Sequence, residues 1–201
     1  MSMKQKLLGN LSYGLVFVVS APAGTGKTTL VKMLTKEFDC VKMSISSTTR
    51  LPRSHEVDGV DYHFLTEAQF NEKIAADEFL EHVQLFTYQY GTAVADLERM
   101  RVKGQHVVLV IDTQGALQLM KKLDAVFIFL LPPSDEELAR RLIGRGTEPK
   151  EIIVERLQRA SKEMELVAHY DYSIVNDDLA TAYQALRSIV IAEEHKIRGK
   201  I

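Results

Sequence analysis

The chain of 201 residues is long enough for one domain with a substantial core, and its 46% hydrophobic and 26% charged residues are typical of a globular protein. A formal net charge of −2 excludes an overall basic field for nucleic acid or for an anionic membrane, so we expect neither as a partner. A single cysteine, Cys40, excludes an internal disulfide, and with no signal-peptide pattern and no apolar run of ~20 residues it predicts a cytoplasmic setting.

A glycine-rich segment joins the first predicted strand to the first predicted helix. Residues 15–19 are apolar throughout, as in a strand covered on both faces, and residues 30–38 have helical periodicity. The intervening residues 20–29 read SAPAGTGKTT, with glycines, lysine and threonine at the offsets of a phosphate-binding P-loop. Backbone N–H groups of such a loop and the following helix N-terminus bind polyphosphate oxygens. The alternative is a glycine-rich turn that binds nothing.

The residue types in this loop predict individual roles. Lys27 is expected to reach the β- and γ-phosphates, and Thr28 to ligate Mg²⁺. Ala21 stands where the strict pattern has its first glycine, which is acceptable if the backbone φ there is negative and no phosphate oxygen must pass closer than the Cβ allows. The predicted nucleotide-contacting residues of the loop are Ala21, Pro22, Ala23, Gly24, Thr25, Gly26, Lys27, Thr28 and Thr29.

A polar segment interrupts the pattern of apolar strands. Residues 41–45 predict a second strand, and residues 46–92 then become rich in Ser, Thr, Arg and Pro. Within them we predict a short strand at 62–65, a helix at 67–76 and a β-prone run at 79–88. The segment therefore predicts an insertion between core strands, with its own strands and helix.

The core pattern then resumes and continues to the end of the chain. The predicted elements are a strand at 106–112, a helix at 113–123, a strand at 125–131, a helix from a capping box at Ser134 and Glu137 to Gly144, a helix at 150–167, a strand at 171–175 and a helix at 179–195. Apolar strands alternating with helices predict a doubly wound, mainly parallel α/β sheet. Residues 1–13 lack a strong period, and we expect a mobile or loosely docked leader.

Two further features point to phosphate chemistry. Asp112 ends an apolar strand, as a Walker B acid does near a P-loop, although an N-cap of the next helix is the alternative. Arg50 and Arg53 lie three apart, and guanidinium groups bind phosphate oxygens in bidentate fashion. Without the P-loop these arginines would be interpreted as solvated surface charges. With it, they predict a second phosphate subsite.

Six segments that follow one another in order resemble the guanylate kinase family, and the likeness extends over nearly the whole chain. They are residues 41–53, 56–64, 79–82, 90–92, 111–115 and 174–178. The resemblance implies a three-layer P-loop fold in one domain, residues 1–201, with a parallel sheet core (14–45, 93–133 and 168–201), a GMP-binding insertion (46–92) and a small helical lid (134–167). It also implies Mg²⁺-dependent phosphoryl transfer from ATP to GMP, and to dGMP, by a monomer or weak homodimer.

The resemblance assigns the acceptor site residue by residue. The positions that match phosphate-gripping residues are Arg50, Arg53, Tyr62 and Tyr90; those that match residues reading or surrounding guanine are Ser46, Glu81, Gly91, Thr92 and Asp112. A carboxylate at Glu81 can accept hydrogen bonds from guanine N1–H and the 2-amino group, a donor pair that adenine lacks. Taken alone, Glu81 would be interpreted as a solvated strand residue, and Tyr62 and Tyr90 as packed sheet aromatics.

The resemblance also implies a mobile lid that brings arginines onto the transferring phosphate. These are Arg141, Arg145 and Arg156, which with Lys27 and Arg53 form the predicted catalytic set. Ordinary helix salt bridges, Glu136 with Arg140 and Glu137 with Arg141, are the alternative interpretation of the first part of this segment. Asn176 and Asp177 match contacts on the adenine side of ATP.

Two departures and two rival functions remain open at this point. Ala21 replaces a motif glycine, and Val110 stands where many relatives have a second acid. One rival is a guanylate-kinase-like binding module without catalysis; against it stand Gly26, Lys27 and Thr28, and we expect no flanking interaction domain. The other is a kinase of this family acting on a different acceptor, such as a ribosyl phosphate, which would leave the guanine-matching residues without a base to contact.

Overall fold

A computed structural model describes residues 6–144 and 150–197 of the chain. The strands, numbered in chain order, are β1 Val16–Ser20, β2 Val41–Met43, β3 Ser47–Thr48, β4 His63–Phe64, β5 Phe79–Leu85, β6 Tyr88–Ala93, β7 His106–Ile111, β8 Val126–Leu131 and β9 Tyr172–Val175. The helices are α1 Lys27–Glu37, α2 Glu67–Ala75, α3 Val94–Arg101, α4 Thr113–Leu119, α5 Asp135–Gly144, α6 Lys150–Met164 and α7 Leu179–His195, with a short 3₁₀ helix, Glu165–His169, after α6. Within those ranges no helix combines the length and the apolar character needed to cross a membrane.

The central sheet consists of five parallel strands in the order β2-β7-β1-β8-β9. The parallel α/β prediction is thereby confirmed. Ser20 at the end of β1 lies opposite Ile111 of β7 and Phe129 of β8. The carboxyl ends of these strands therefore meet at one edge, where the segment after β1 lies beside Asp112.

The side chains of each strand alternate between the two faces of this sheet, and helices cover both faces. The core on the face covered by α1 and α7 includes Phe17, Val19, Leu30, Leu34, Leu186 and Val190. The core on the face covered by α3 and α4 includes Val16, Val18, Leu97, Leu109 and Leu119. A strand that faces apolar helices on both sides needs apolar residues at every position, as β1 has.

A second, four-stranded sheet occupies the predicted insertion, in the order β4-β3-β6-β5. Helix α2 begins at a capping box between Thr66 and Gln69 and buries Phe70 completely. The rings of Phe70 and Phe79 stack with centroids 4.6 Å apart. A Cβ at Gly91 would lie 3.0–3.1 Å from these two rings, so the glycine lets the aromatic pair pack directly on β6.

Helices α5 and α6 pack against each other beside the core, through Leu138, Leu142 and Ala160. The predicted capping box at the start of α5 is only half formed. Ser134 Oγ accepts the Glu137 N–H at 3.1 Å, but the Glu137 carboxylate binds arginines one turn further along the helix. The chain from 134 to 167 therefore contributes a helical pair of its own.

The structure differs most from the predictions at three elements. The run at 79–88 is two strands, separated by a tight turn in which Phe86 has a φ of 57°. Helix α3 was not predicted, since only Leu97 among its residues is buried and its apolar period is weak. The helix predicted to reach residue 123 ends at Leu119.

The expectation of a mobile or loosely docked leader is wrong for the described residues 6–13. Leu8 is only 5% exposed, and the N–H groups of Gly9 and Asn10 donate to the Glu194 carboxylate at 2.6 and 2.9 Å. Glu194 also meets Nε2 of the buried His106, whose Nδ1 accepts the Leu15 N–H at 3.0 Å. Because Nδ1 accepts, the ring proton lies on Nε2 and points to Glu194.

Candidate active site

The phosphate loop follows β1 and ends where α1 begins at Lys27. Gly24 and Gly26 have φ values of 94° and 93°, in the left-handed region that L side chains rarely adopt. Ala21 is not among the described residues with positive φ, so the backbone condition for an alanine at this position is met. The first turn of α1 contains no acidic residue, and Gly26 provides no side-chain cap. Its first N–H groups therefore remain available to an anion.

Internal hydrogen bonds shape this loop. Lys27 Nζ donates to the carbonyl oxygens of Ala21 at 2.7 Å and of Pro22 at 3.2 Å, which holds the ammonium group over the loop. Thr25 is fully buried, and its hydroxyl donates to the Pro22 carbonyl at 3.0 Å. Thr25 can therefore meet a nucleotide only through its backbone. The loop fits a polyphosphate, because Lys27 and the two glycines of positive φ line the same cleft.

Asn176, which follows β9, supports the loop through a hydrogen bond. It is 5% exposed and its Nδ2 donates to the Thr25 carbonyl at 2.7 Å. A Cβ at Gly26 would lie 2.6 Å from that Nδ2, so the glycine is needed for this close approach. Asp177 is exposed beside it. The adenine contacts expected of Asn176 and Asp177 stay predictions.

A cleft of about 330 Å³ connects the loop to the inserted sheet. Its lining includes most of the residues that the sequence assigned to donor and acceptor: Ala21, Ala23, Gly24, Gly26, Lys27, Thr28, Thr29, Ser46, Arg50, Arg53, Tyr62, Glu81, Tyr90, Gly91, Asp112 and Arg156. Val110, where relatives often have an acid, also lines it. Segments that lie far apart in the chain thus converge on one cavity.

The phosphate-gripping residues of the predicted acceptor site form a connected group. Arg50 Nη2 donates to Glu56 at 2.8 Å, and its guanidinium lies 5.4 Å from the ring centroid of Tyr62. The same carboxylate accepts the Arg53 backbone N–H at 2.7 Å. The rings of Tyr62 and Tyr90 meet edge to face at 6.1 Å. Arg50 is 13% exposed, so the surface-charge interpretation is wrong for it, while Arg53 at 51% is open to the cleft.

Glu56 is a residue whose role the sequence did not assign. Its side chain is 7% exposed, and the Arg50 guanidinium lowers the pKa of its carboxyl below the ordinary value. The ionised carboxylate therefore orients both arginines of the acceptor site. A search for acids close to paired arginines would have identified it.

The guanine-matching residues other than Thr92 line the same cleft, and Thr92 contacts one of them, Glu81. Glu81 is 3% exposed, and its carboxylate accepts the Thr92 hydroxyl at 2.7 Å, so the solvated-strand interpretation is wrong. Burial raises the pKa of Glu81 to about 7, against the Thr92 hydrogen bond that lowers it and with the nearby Asp112 charge that raises it. A buried carboxylate that ionises near neutrality suits a ligand that brings N–H donors.

Asp112 has two partners, one on each carboxylate oxygen. Oδ1 accepts the Gly115 N–H at 2.9 Å, so Asp112 is the N-cap of α4, and Oδ2 accepts Arg159 Nη2 at 2.9 Å. The helix-cap interpretation is thus correct, and Asp112 also faces the cleft. Arg159 and its partner Glu163 were missed. Arg159 and Glu163 lie three and seven residues after Arg156 on one face of a helix, and this spacing could have identified them.

The predicted lid arginines have different surroundings. Arg141 Nε donates to Glu137 at 2.7 Å and its Nη2 to the Asn176 carbonyl at 3.0 Å, which places it beside the phosphate loop. Arg156 lines the cleft 5.6 Å from the ring centroid of Phe86. Arg145 lies outside the described residues. Of the alternative salt bridges, Glu137 with Arg141 is present, while Arg140 binds Glu137 and not Glu136.

Known proteins share both the sequence and the fold. A family model described as guanylate kinase matches residues 13–193. The chain is 57% identical over 188 residues to the guanylate kinase of Protochlamydia amoebophila, covering 94% of this chain and 95% of that protein. It is 50% identical over 183 residues to that of Chlamydia trachomatis serovar D, covering 90% and 89%. The crystal structure of guanylate kinase from Anaplasma phagocytophilum superposes with a TM-score of 0.76 at 32% identity, covering 96% of this chain and 91% of that one.

Proposed function

Because the chain belongs to the guanylate kinase family of nucleoside-monophosphate kinases, we propose that it transfers the γ-phosphate of ATP to GMP or dGMP in purine nucleotide metabolism. The products are ADP and GDP or dGDP. The observation that carries the proposal is one cleft whose lining includes both the phosphate loop and the buried carboxyl group of Glu81, whose pKa is raised by burial to about 7. A molecule that fills the far end must bring N–H donors, as guanine does.

The donor half of the proposal assigns ATP to the phosphate loop and Mg²⁺ to Thr28. Thr28 lines the cleft at the first turn of α1, next to the ammonium group of Lys27. Mg²⁺, when bound, supplies positive charge to the oxygens between which the phosphoryl group moves. Lys27, Arg53, Arg141, Arg145 and Arg156 are the proposed cations that stabilise the transferring group. The transfer is in line, without a phosphoenzyme.

The acceptor half assigns the GMP phosphate to Arg50, Arg53, Tyr62 and Tyr90. The base then extends toward Glu81, whose ionised carboxylate accepts from guanine N1–H and from the 2-amino group. Adenine presents an acceptor at N1 and has no 2-amino group, so it would leave the buried carboxylate unpaired. An unpaired buried polar group in a specific site can cost a factor of ~10⁴ in kcat/KM.

The proposal includes a division of the chain and a setting. The core is residues 14–45, 93–133 and 168–201, the GMP-binding insertion is 46–92, and the lid is 134–167. Closure of insertion and lid over the loop would exclude water that hydrolyses ATP. We propose a cytoplasmic monomer or weak homodimer, without nucleic-acid or membrane partners, in keeping with one cysteine and a net charge of −2.

A coupled kinase assay tests the proposal. The purified protein is offered ATP and Mg²⁺ with GMP, dGMP, AMP, CMP and UMP in parallel, and each rate is repeated with Mg²⁺ chelated. We expect turnover confined to the guanine acceptors and lost on chelation. Turnover of AMP at a comparable rate would contradict the role given to Glu81. Binding of ATP without turnover of any acceptor would contradict the enzymatic proposal itself.

A further inference from the structure

Helix α6 brings two charged side chains, Arg159 and Glu163, into the cleft, where Glu163 also interacts electrostatically with Lys27 of the phosphate loop. Arg159 Nε donates to Glu163 Oε1 at 2.7 Å, and Arg159 Nη2 donates to Asp112 Oδ2 at 2.9 Å. The three side chains are 28%, 10% and 15% exposed in the order Arg159, Glu163, Asp112. They form a chain from the lid helix to the end of strand β7, and all three line the cleft.

The guanidinium of Arg159 is held on two edges at once. Glu163, four residues further along α6, fixes the Nε edge, and Asp112 of the sheet core fixes one terminal nitrogen. A planar guanidinium can satisfy two carboxylates in fixed directions, whereas an ammonium group acts as a point charge. The pair Arg159 and Glu163 therefore has the rigidity needed to set the orientation of a third group.

Asp112 is the group that this pair orients. With Gly115 on one oxygen and Arg159 on the other, its carboxylate cannot rotate without breaking a hydrogen bond. It also lies close to Glu81: a Cβ at Gly115 would be 2.7 Å from Glu81 Oε2 and 3.3 Å from Asp112 Oδ1. Two neighbouring carboxylates repel each other, and a cation on one of them reduces that cost.

We propose that Arg159 is a positioning residue for the acceptor base, which fixes and charge-balances Asp112 so that Asp112 and Glu81 together receive the N–H donors of guanine. Glu163 acts indirectly, because it orients Arg159. The inference rests on the proposed function, because it takes GMP as the acceptor. It predicts that Asp112 accepts the second hydrogen of the 2-amino group, whose first hydrogen bonds Glu81; this group distinguishes GMP from IMP.

The test compares Arg159→Gln, Arg159→Lys and Glu163→Gln with the control Arg99→Gln, which removes an exposed ion pair to Asp96 outside the cleft. For each protein we would measure kcat, KM for ATP, KM for GMP and for IMP, GMP binding by calorimetry, and the thermal unfolding midpoint. We expect Arg159→Gln to raise KM for GMP about tenfold, equivalent to the loss of one charged hydrogen bond, with KM for ATP nearly unchanged. The ratio of kcat/KM for GMP to that for IMP should fall with it.

The remaining variants sharpen the interpretation. Arg159→Lys keeps the charge but only one contact, so its KM for GMP should lie between wild type and Arg159→Gln, and Glu163→Gln should shift KM less in the same direction. A lower KM for GMP in Arg159→Gln would mean that Arg159 competes with the base for Asp112, and the proposal would be wrong. Equal losses for GMP and IMP with a lower unfolding midpoint would mean that the contact only docks α6. If wild type binds GMP and Arg159→Gln binds it equally, this inference alone fails; if wild type does not bind GMP, the proposed function fails with it.

Discussion

The two ends of the cleft are built by different means. The proposed donor end is one continuous segment, residues 21–29, with Gly24 and Gly26 in the left-handed region and the start of α1. The proposed base end combines side chains of separate elements: Glu81 of β5 and Thr92 of β6, which contact each other, and Asp112 after β7. Backbone recognition of phosphate requires only local geometry. Recognition of a base requires burial and ionisation of particular side chains, so its specificity depends on long-range packing.

The two ends also differ in the charged side chains that they contribute to the cleft. The phosphate loop contributes Lys27 and no acid to the cleft, whereas Glu81, Asp112 and Glu163 contribute carboxylates, with Arg159 between the last two. A ligand that is anionic at one end and a hydrogen-bond donor at the other complements this distribution. If the comparison is right, changes at the donor end should reduce the rate for every acceptor, and changes at the base end should act on the acceptor alone.

The largest effect should follow from Lys27→Ala at the donor end. Removal of the ammonium group takes a cation from the transferring phosphate, and we expect kcat to fall ~10³-fold, as for the loss of one transition-state donor in other enzymes. Lys36→Ala, an exposed lysine later on α1, is the control and should keep the wild-type rate. Steady-state kinetics with GMP and dGMP provides the measurement. A Lys27→Ala enzyme with near wild-type kcat would refute the mechanism.

The next effect should be confined to the base end. Glu81→Gln keeps the shape of the side chain but offers one acceptor and one donor to the guanine edge, which has two donors. We expect KM for GMP to rise about 30- to 100-fold, as for a mismatched hydrogen bond to a charged group, with KM for ATP within about twofold. Glu78→Gln, exposed and paired with Lys73, is the matched control. An equal rise in both KM values would show that the base pocket lies elsewhere.

The contrast between a contiguous loop and a site assembled from separate elements also explains what could be predicted from the sequence. The phosphate loop is contiguous and depends on backbone geometry, so its residues predicted its shape, including the tolerance of Ala21. The closing helix, predicted at 179–195, is confirmed because its apolar period is uninterrupted. The contact of Arg159 with Asp112 joins residues 47 apart, and no local pattern encodes it. The turn at Phe86 was missed because it lacks the glycine or asparagine that a positive φ normally selects.

A smaller but diagnostic effect should appear in the pH dependence. Burial raises the pKa of Glu81 from 4.5 to about 7, so between these values the folded chain holds a proton that the unfolded chain has released. The free energy of unfolding contributed by this group therefore decreases as the pH rises through that window. Guanine binding has the opposite requirement, since it needs the ionised carboxylate. Structure and function thus favour different protonation states of one residue.

We expect kcat/KM for GMP to fall with decreasing pH below about 7, approaching tenfold per unit. The GMP phosphate has a second pKa of about 6 and adds its own inflection to the pH profile of kcat/KM, so the comparison with Glu81→Gln is essential. The variant should retain the phosphate inflection and lose the one near 7. In the variant, the contribution of Glu81 that makes the free energy of unfolding decrease between pH 4.5 and 7 should also be absent. Identical pH profiles for the two proteins would show that Glu81 does not titrate in this range.

The smallest effect should come from the contact between the insertion and the lid. Phe86, at the tip of the β5–β6 hairpin, places its ring 5.6 Å from the Arg156 guanidinium, and a cation–π contact at a partly exposed site is worth about 0.5–1 kcal/mol. Phe86→Leu keeps an apolar side chain and the same backbone strain, since leucine is no better suited than phenylalanine to the φ of 57°. Loss of the ring face should therefore reduce kcat about two- to fivefold, without changing KM for GMP. Phe86→Tyr retains the ring and should turn over at the wild-type rate; if it is impaired as much as Phe86→Leu, the contact with Arg156 does not assist catalysis, and the lid reaches the donor end without help from the insertion.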